Sequence, residues 1–182
     1  MKFTITQSEL KKLSRCCANK IREMLQNVFI TVKGAAVELA ATDGCILAVT
    51  KKAAELGETP EGFKTLIPVK LCSKFNSKAR LEISSTEQKN TYKARDLVSG
   101  AEIYYTAPEN PARPNYEVIL SELDQAKGAE NYAVFMPEIL KKIYDLILWY
   151  DFQRITPRTM GKNRVHFWVN DDYIIAAMPC RS

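Results

Sequence analysis

With 182 residues, 46% of them hydrophobic, the chain is long enough to bury one core or one and a half, and its composition excludes a disordered or low-complexity protein. A formal net charge of +5 allows a polyanion partner without requiring one, and no run approaches the roughly 18 apolar residues of a membrane span. The opening "MKFTITQSEL" carries a charge but no apolar h-region, so it does not read as a secretion signal and the expected compartment is the cytoplasm.

"MKFTI" alternates like a strand, and Thr6 followed by Glu9 is a capping box that opens a helix. Leu10, Leu13, Cys17, Ile21 and Met24 recur at helical spacing, with Lys11, Lys12, Arg15 and Arg22 on the opposite arc. Strand-like runs follow at "VFITVKG", "AAVELAAT" and "CILAVTKKA", divided by Gly34 and by Asp43-Gly44. The unit reads β-α-β-β-β. After the polar linker "AELGETPEGF" the order restarts: strand "KTLIPV", short helix "KLCSKFNSK", then strands "ARLEISS", "KNTYKAR" and "AEIYYTA". "PENPARPNYEVIL" holds too many prolines for a central strand and reads as an extended crossing segment with an apolar anchor. "NYAVF" begins a third unit, with a helix from Pro137 to about Tyr150 and strands at "NRVHFWV" and "YIIAAMP". This is an internal repeat of architecture rather than of sequence.

Several stretches resemble a known family. "AATDGCILAV", "LIPVK", "RPNYEVIL" and the ending "AAMPCRS" are similar, in order and spacing, to stretches of bacterial sliding clamps, the β subunit of DNA polymerase III. The resemblance covers most of the chain and implies an α+β, DNA-clamp-like fold of repeated β-α-β-β-β units, about one and a half clamp domains. Residues 1–120 would form a complete domain of two units, and residues 121–182 the final half-domain without its usual first half. A chain of the family has three two-unit domains, and two chains close into a ring around duplex DNA, so the standard ring does not follow here.

The same resemblance implies a pocket for short polymerase peptides at Thr42, Gly44, Cys45, Ile46 and Leu47, Pro68, and Ala176, Met178, Pro179 and Arg181. The residues alone allow another reading, since a Leu-Ala-Val strand beside an Asp-Gly turn is ordinary buried core. Cys45-Ile46 replaces the polar or basic pair common after the family's glycine, which points to a different peptide preference. Clamp helices also present cations to phosphates, and the matching DNA-facing residues are Lys11, Lys12, Arg15 and Arg22 on the first helix, with Lys70, Lys74 and Lys78 at spacing of four on the second. On the third helix Lys141 and Lys142 share their stripe with Glu138 and Asp145, and solvated lysine faces are the bland alternative for all of them.

Five cysteines, Cys16, Cys17, Cys45, Cys72 and Cys180, form no C-x-x-C pair and read as reduced, mostly buried thiols. The single histidine, His166, alternates within a strand and reads as partly exposed and structural. With no phosphate loop, metal spacing or nucleophile elbow, the chain is expected to be no enzyme and to need no cofactor. Two functions remain: a replication protein that binds clamp-binding peptides of polymerases or partner proteins and tethers them on duplex DNA as an oligomer, or a phage or mobile-element clamp mimic that competes for those partners without encircling DNA. The third helix, with Ile139, Leu140, Ile143, Leu146, Ile147 and Tyr150, is expected to offer more apolar surface than a half-domain covers.

Overall fold

A computed structural model describes residues 1–17, 23–53, 59–108, 111–128, 133, 135–149, 157–161 and 164–179. Strand β1 (Lys2–Thr6) leads into helix α1 (Gln7–Ser14), where Thr6 Oγ1 accepts the Glu9 amide at 3.3 Å and donates to the Glu9 carboxylate at 2.9 Å, which makes Thr6 the N-cap read from the sequence. Leu10 and Leu13 are buried on its inner side. The helix is shorter than its apolar periodicity suggests: Cys16 and Cys17 turn away from it, and Met24, expected in the buried stripe, is exposed in a 3-10 turn at Glu23–Leu25. Ile21 and Arg22 lie outside the described residues.

The three strands of the first unit follow as β2 (Asn27–Lys33), β3 (Ala36–Thr42) and β4 (Ile46–Ala53), and the second unit starts with β5 (Lys64–Pro68). Its expected helix is only a 3-10 turn, Val69–Leu71, before β6 (Arg80–Ser85), β7 (Thr91–Asp96) and β8 (Glu102–Thr106). Within "KLCSKFNSK" Cys72 is the one fully buried side chain, and Leu71 and Phe75 are half-buried against the core. The crossing segment is irregular as far as Tyr116 and then coils into α2 (Glu117–Ser121) and a 3-10 turn at Leu123–Gln125. In the third unit β9 is Lys127–Gly128, earlier than the "NYAVF" expected, most of which falls outside the described residues. Helix α3 (Pro137–Trp149), β10 (Arg158–Thr159, unread in the sequence), β11 (His166–Val169) and β12 (Tyr173–Ala177) complete it.

The first two units exchange their leading strands. β1 pairs with β6 of the second unit, and β5 pairs with β2 of the first, giving a four-stranded sheet β1-β6-β7-β8 and the start of an eight-stranded sheet, β5-β2-β3-β4-β12-β11-β10-β9. The two halves of the long sheet meet where β4 pairs antiparallel with β12, Leu47 opposite Ala176 and Val49 opposite Ile174. The third unit has no sister, and its leading strand β9 pairs with its own β10.

Residues paired across a sheet point to the same face, so register assigns the two faces of the long sheet. One face carries Val28, Ile30, Leu39, Ala48, Tyr173, Ile175 and Trp168, and α1 and α3 pack on it; the Tyr173 hydroxyl lies 3.5 Å from the Glu9 carboxylate of α1. Phe135, just before α3, meets His166 edge-on at 5.5 Å. His166 is buried rather than partly exposed, with Nδ1 3.0 Å from the Arg164 carbonyl, and burial holds its pKa below the ordinary value. The other face carries Phe29, Thr31, Glu38, Thr42, Leu47 and Ala176, and the crossing segment lies over it. Among the described residues no helix is long and apolar enough to cross a membrane.

Candidate peptide-binding cleft

The turn between β3 and β4 is fixed by its own side chains. Thr42 Oγ1 donates to the Ile46 carbonyl at 2.7 Å and accepts the Gly44 amide at 3.0 Å. Asp43 Oδ1 accepts the amides of Cys45 and Ile46, both at 2.9 Å, while Oδ2 takes the ammonium of Lys142 from α3. Gly44 has φ of 95°, a left-handed conformation that a Cβ would strain. The turn is thus a Thr-Asp-Gly device with a separate reason for each residue. It ends on the tail: the Cys45 carbonyl accepts the Met178 amide at 3.0 Å, one rung beyond the β4–β12 seam.

A shallow cleft of about 30 Å³ opens there, lined by Thr42, Gly44, Cys45, Ile46 and Leu47 from the turn and β4, Ala176, Ala177 and Met178 from the tail, Ile119 from α2, and Val165. Its floor is core: Ile46, Leu47 and Ala176 are each no more than 3% exposed. Its rim is open, since Gly44 and Cys45 are exposed and Met178 is 40% exposed. Along the apolar step Cys45-Ile46-Leu47 the side chains divide: Cys45 meets solvent, Leu47 shares the face that the crossing segment covers, and Ile46, opposite Ala177, points to the face that carries α1 and α3. A cleft this small lies far below the few hundred Å³ of a small-molecule pocket and offers a shallow seat for the end of one apolar side chain, with backbone polar groups at its edge.

Seven of the ten residues expected at the pocket line this cleft. Pro68 does not, although it belongs to the same sheet face; it pairs with Asn27, and continuing the β2–β3 register sets Asn27 opposite Thr42, so Pro68 is three strand spacings, about 14 Å, from Leu47. Pro179 is buried and outside the cleft, and Arg181 lies outside the described residues. Ile119, Val165 and Ala177 were not anticipated. Ile119 had a signal, because Tyr116, Ile119 and Leu120 are buried or half-buried while Glu117, Val118 and Ser121 face water, a helical period within "NYEVILS".

The lid over the cleft is tied down by a buried polar network. The Arg113 guanidinium donates to Thr31 Oγ1 at 2.6 Å and Glu117 at 2.7 Å and lies 5.3 Å above the Tyr116 ring. The Tyr116 hydroxyl donates to Glu38, whose carboxylate also holds Lys33 at 2.9 Å. Burial, reinforced by the Glu38 charge, pushes the Tyr116 phenol pKa up, keeping it a neutral donor.

The basic residues are less organised than expected. On α1, Lys11 is exposed, Lys12 is half-buried, and Arg15, just past the helix, stands 4.0 Å from Asp145 of α3. Lys70, Lys74 and Lys78 are exposed, but on turns, so the spacing of four does not align them on a helix face. Their stretch packs against the start of α1, where the Gln7 amide donates to the Ala79 carbonyl at 3.0 Å and Gln7 Nε2 donates to the Cys72 carbonyl. Of the thiols, Cys16, Cys17 and Cys72 are buried, with burial pushing Cys16 and Cys72 up to about 12, in line with the mostly buried thiols expected; Cys45 is exposed, and Cys180 is outside the described residues.

Solved structures of bacterial clamp subunits share this arrangement of sheets and helices. A protein assigned as a DNA polymerase III beta subunit, from Eubacterium rectale, matches with a TM-score of 0.72 at 11% identity over 99% of this chain and 65% of its own. The chain has the sliding-clamp fold. Pseudomonas aeruginosa sliding clamp bound to griselimycin matches at TM-score 0.64 and 16% identity, over 100% of this chain and 66% of the clamp, and the Bacillus subtilis clamp at 0.67 and 14%, over 100% and 64%. The chain thus spans about two thirds of the length of the clamp chains it matches. No protein-family model matches the sequence, and no curated protein is similar to it by sequence.

Proposed function

We propose that the chain is a shortened clamp-type replication protein whose cleft binds short apolar peptides of polymerases or other replication and repair proteins. The observation that carries this reading is the joining of the Thr42–Leu47 turn to the Ala176–Met178 tail in one cleft with a buried floor and an open rim. In clamp terms, residues 1–120 act as a complete domain and residues 121–182 as a half-domain, working in the cytoplasm without catalysis or cofactor. Tethering on duplex DNA through Lys11, Lys12, Arg15, Arg22, Lys70, Lys74 and Lys78 is the fuller form of the function. The competing form, a mimic that occupies clamp partners without encircling DNA, is favoured by one feature: Lys70, Lys74 and Lys78 stand on turns rather than along a helix.

Fluorescence anisotropy tests the cleft with a labelled peptide carrying glutamine, spaced leucines and a phenylalanine. A small apolar groove supports a micromolar dissociation constant, about 7 to 8 kcal/mol. Leu47→Asp on the floor, Met178→Glu on the rim and deletion of residues 178–182 should each abolish binding. Undiminished affinity in Met178→Glu and in the folded tail deletion places any peptide site elsewhere.

A further inference from the structure

The cleft as it stands is too small for a whole leucine or phenylalanine side chain: about 30 Å³ takes only the end of one. Something must move to admit a peptide. Nine of the ten lining residues are poor candidates, because those of the turn, β4 and the tail are held by the Thr42–Ile46 bond, the β4–β12 ladder and the Met178–Cys45 rung, and Val165 leads straight into β11. The tenth is Ile119. It stands on α2, a helix of five residues with no side-chain cap at its start and no fully buried residue.

Past Tyr116 the hydrogen bonds of this segment close on itself: the Leu120 amide donates to the Tyr116 carbonyl at 3.0 Å, the Glu122 amide to the Ile119 carbonyl at 3.2 Å, and the Ser121 hydroxyl to the Val118 carbonyl at 2.8 Å. Among the described residues its polar tie to the third unit is Glu122 with Arg164 at 4.0 Å, and that arginine is 65% exposed, so the pair holds weakly in water. The other Glu122 carboxylate oxygen is buried without a hydrogen-bond partner, so closure leaves an acceptor unsatisfied that opening returns to water. Upstream the contrast is sharp: Arg113 bonds Thr31 and Tyr116 bonds buried Glu38. A firm anchor is followed by a loosely held cover.

We infer that α2 is a plug: Ile119 occupies the seat of the peptide's first apolar side chain, and α2 swings outward on the Arg113–Tyr116 anchor to release it. The inference rests on the proposed function and adds its selectivity. What replaces Ile119 must match it, so an aliphatic side chain of leucine or isoleucine size is taken ahead of a polar or smaller one. Plug and peptide compete, and the measured affinity is the intrinsic one reduced by the fraction of chains with α2 open.

The test is the sign of one substitution, read by anisotropy of the full chain with the labelled glutamine, leucine and phenylalanine peptide. A wall residue loses contact with the peptide when trimmed, whereas a plug stops competing. Ile119→Ala should therefore tighten binding, by about tenfold where α2 is open in one chain of ten, and Ile119→Phe should weaken it. Circular dichroism checks both folds. Hydrogen exchange gives a second readout that needs no variant: without peptide the Leu120 and Glu122 amides should exchange well ahead of those of β4 and β12, and saturating peptide should speed them further. Unchanged or weaker binding by Ile119→Ala, or α2 amides that the peptide protects, overturns the inference and leaves the peptide site standing. No binding by the wild type or either variant overturns both.

Discussion

The Tyr116 hydroxyl donates to the Glu38 carboxylate at 3.1 Å across 78 residues of sequence, and both groups are buried. Through this bond and the Arg113–Thr31 bond, the crossing segment is fastened to the sheet it covers, which sets Ile119 over the cleft. Tyr116→Phe keeps the ring and removes the donor, leaving Glu38 with Lys33 alone; it should cost about 1 to 3 kcal/mol in urea denaturation. Tyr116→Ala adds a cavity and should cost about 3 to 5 kcal/mol.

Cys45 is the one exposed thiol among the described cysteines and stands on the cleft rim. A maleimide should modify it well before Cys16 or Cys72, whose pKa values of about 12 keep them protonated at pH 7.5. Mass spectrometry of tryptic peptides reads the order. A bulky adduct at Cys45 should block peptide binding in the wild type and have no effect in Cys45→Ser.

Duplex DNA binding should be indifferent to sequence and fall steeply with salt. Charge reversal of the exposed Lys11, Lys70 and Lys74 should lower the slope of log affinity against log salt by roughly 2 to 3 if each meets a phosphate. Filter binding across a salt series measures this, and identical slopes would leave these lysines as solvated surface. Peptide affinity should be unchanged in the same variant.

His166 predicts a pH dependence of folding. Its folded pKa lies below the ordinary 6.5 because burial disfavours the imidazolium, so between the two values the unfolded chain binds more protons. The stability it contributes is complete above pH 6.5 and is lost as pH falls toward the folded pKa. Urea midpoints at pH 7.5 and 5.5 should differ in the wild type, and the difference should shrink in His166→Phe.

Local chemistry made much of this fold legible. The Thr6–Glu9 cap, the Asp43-Gly44 turn and the strand-like runs of β2 to β8 each have short-range causes and stand where the sequence implied, although β2 and β3 are buried on both faces and only β6 and β7 alternate clearly. The failures have long-range causes. Lys70, Lys74 and Lys78 share a spacing of four, yet a short segment does not repay the cost of nucleating an α-helix by spacing alone, and only a 3-10 turn forms at Val69–Leu71. β10 is two residues long and exists through its pairing with β9 and β11, information that neither segment carries by itself. Pro68 was joined to the cleft by motif order, whereas strand order sets β2 and β3 between β5 and β4. Seven of the cleft residues were readable because they lie in two short stretches that the β4–β12 pairing brings together; Val165 and Ile119 arrive from the residue before β11 and from a lid.

Asp43 has no carboxylate oxygen to spare: one holds the amides of the cleft turn, the other holds Lys142 of α3. The same side chain is therefore a joint between two surfaces that point in different directions, and displacing the turn requires Lys142 to yield as well. Linkage makes such a joint reciprocal: whatever free energy a ligand in the cleft exerts on α3, a partner seated on α3 exerts on the cleft, by the same factor and with the same sign.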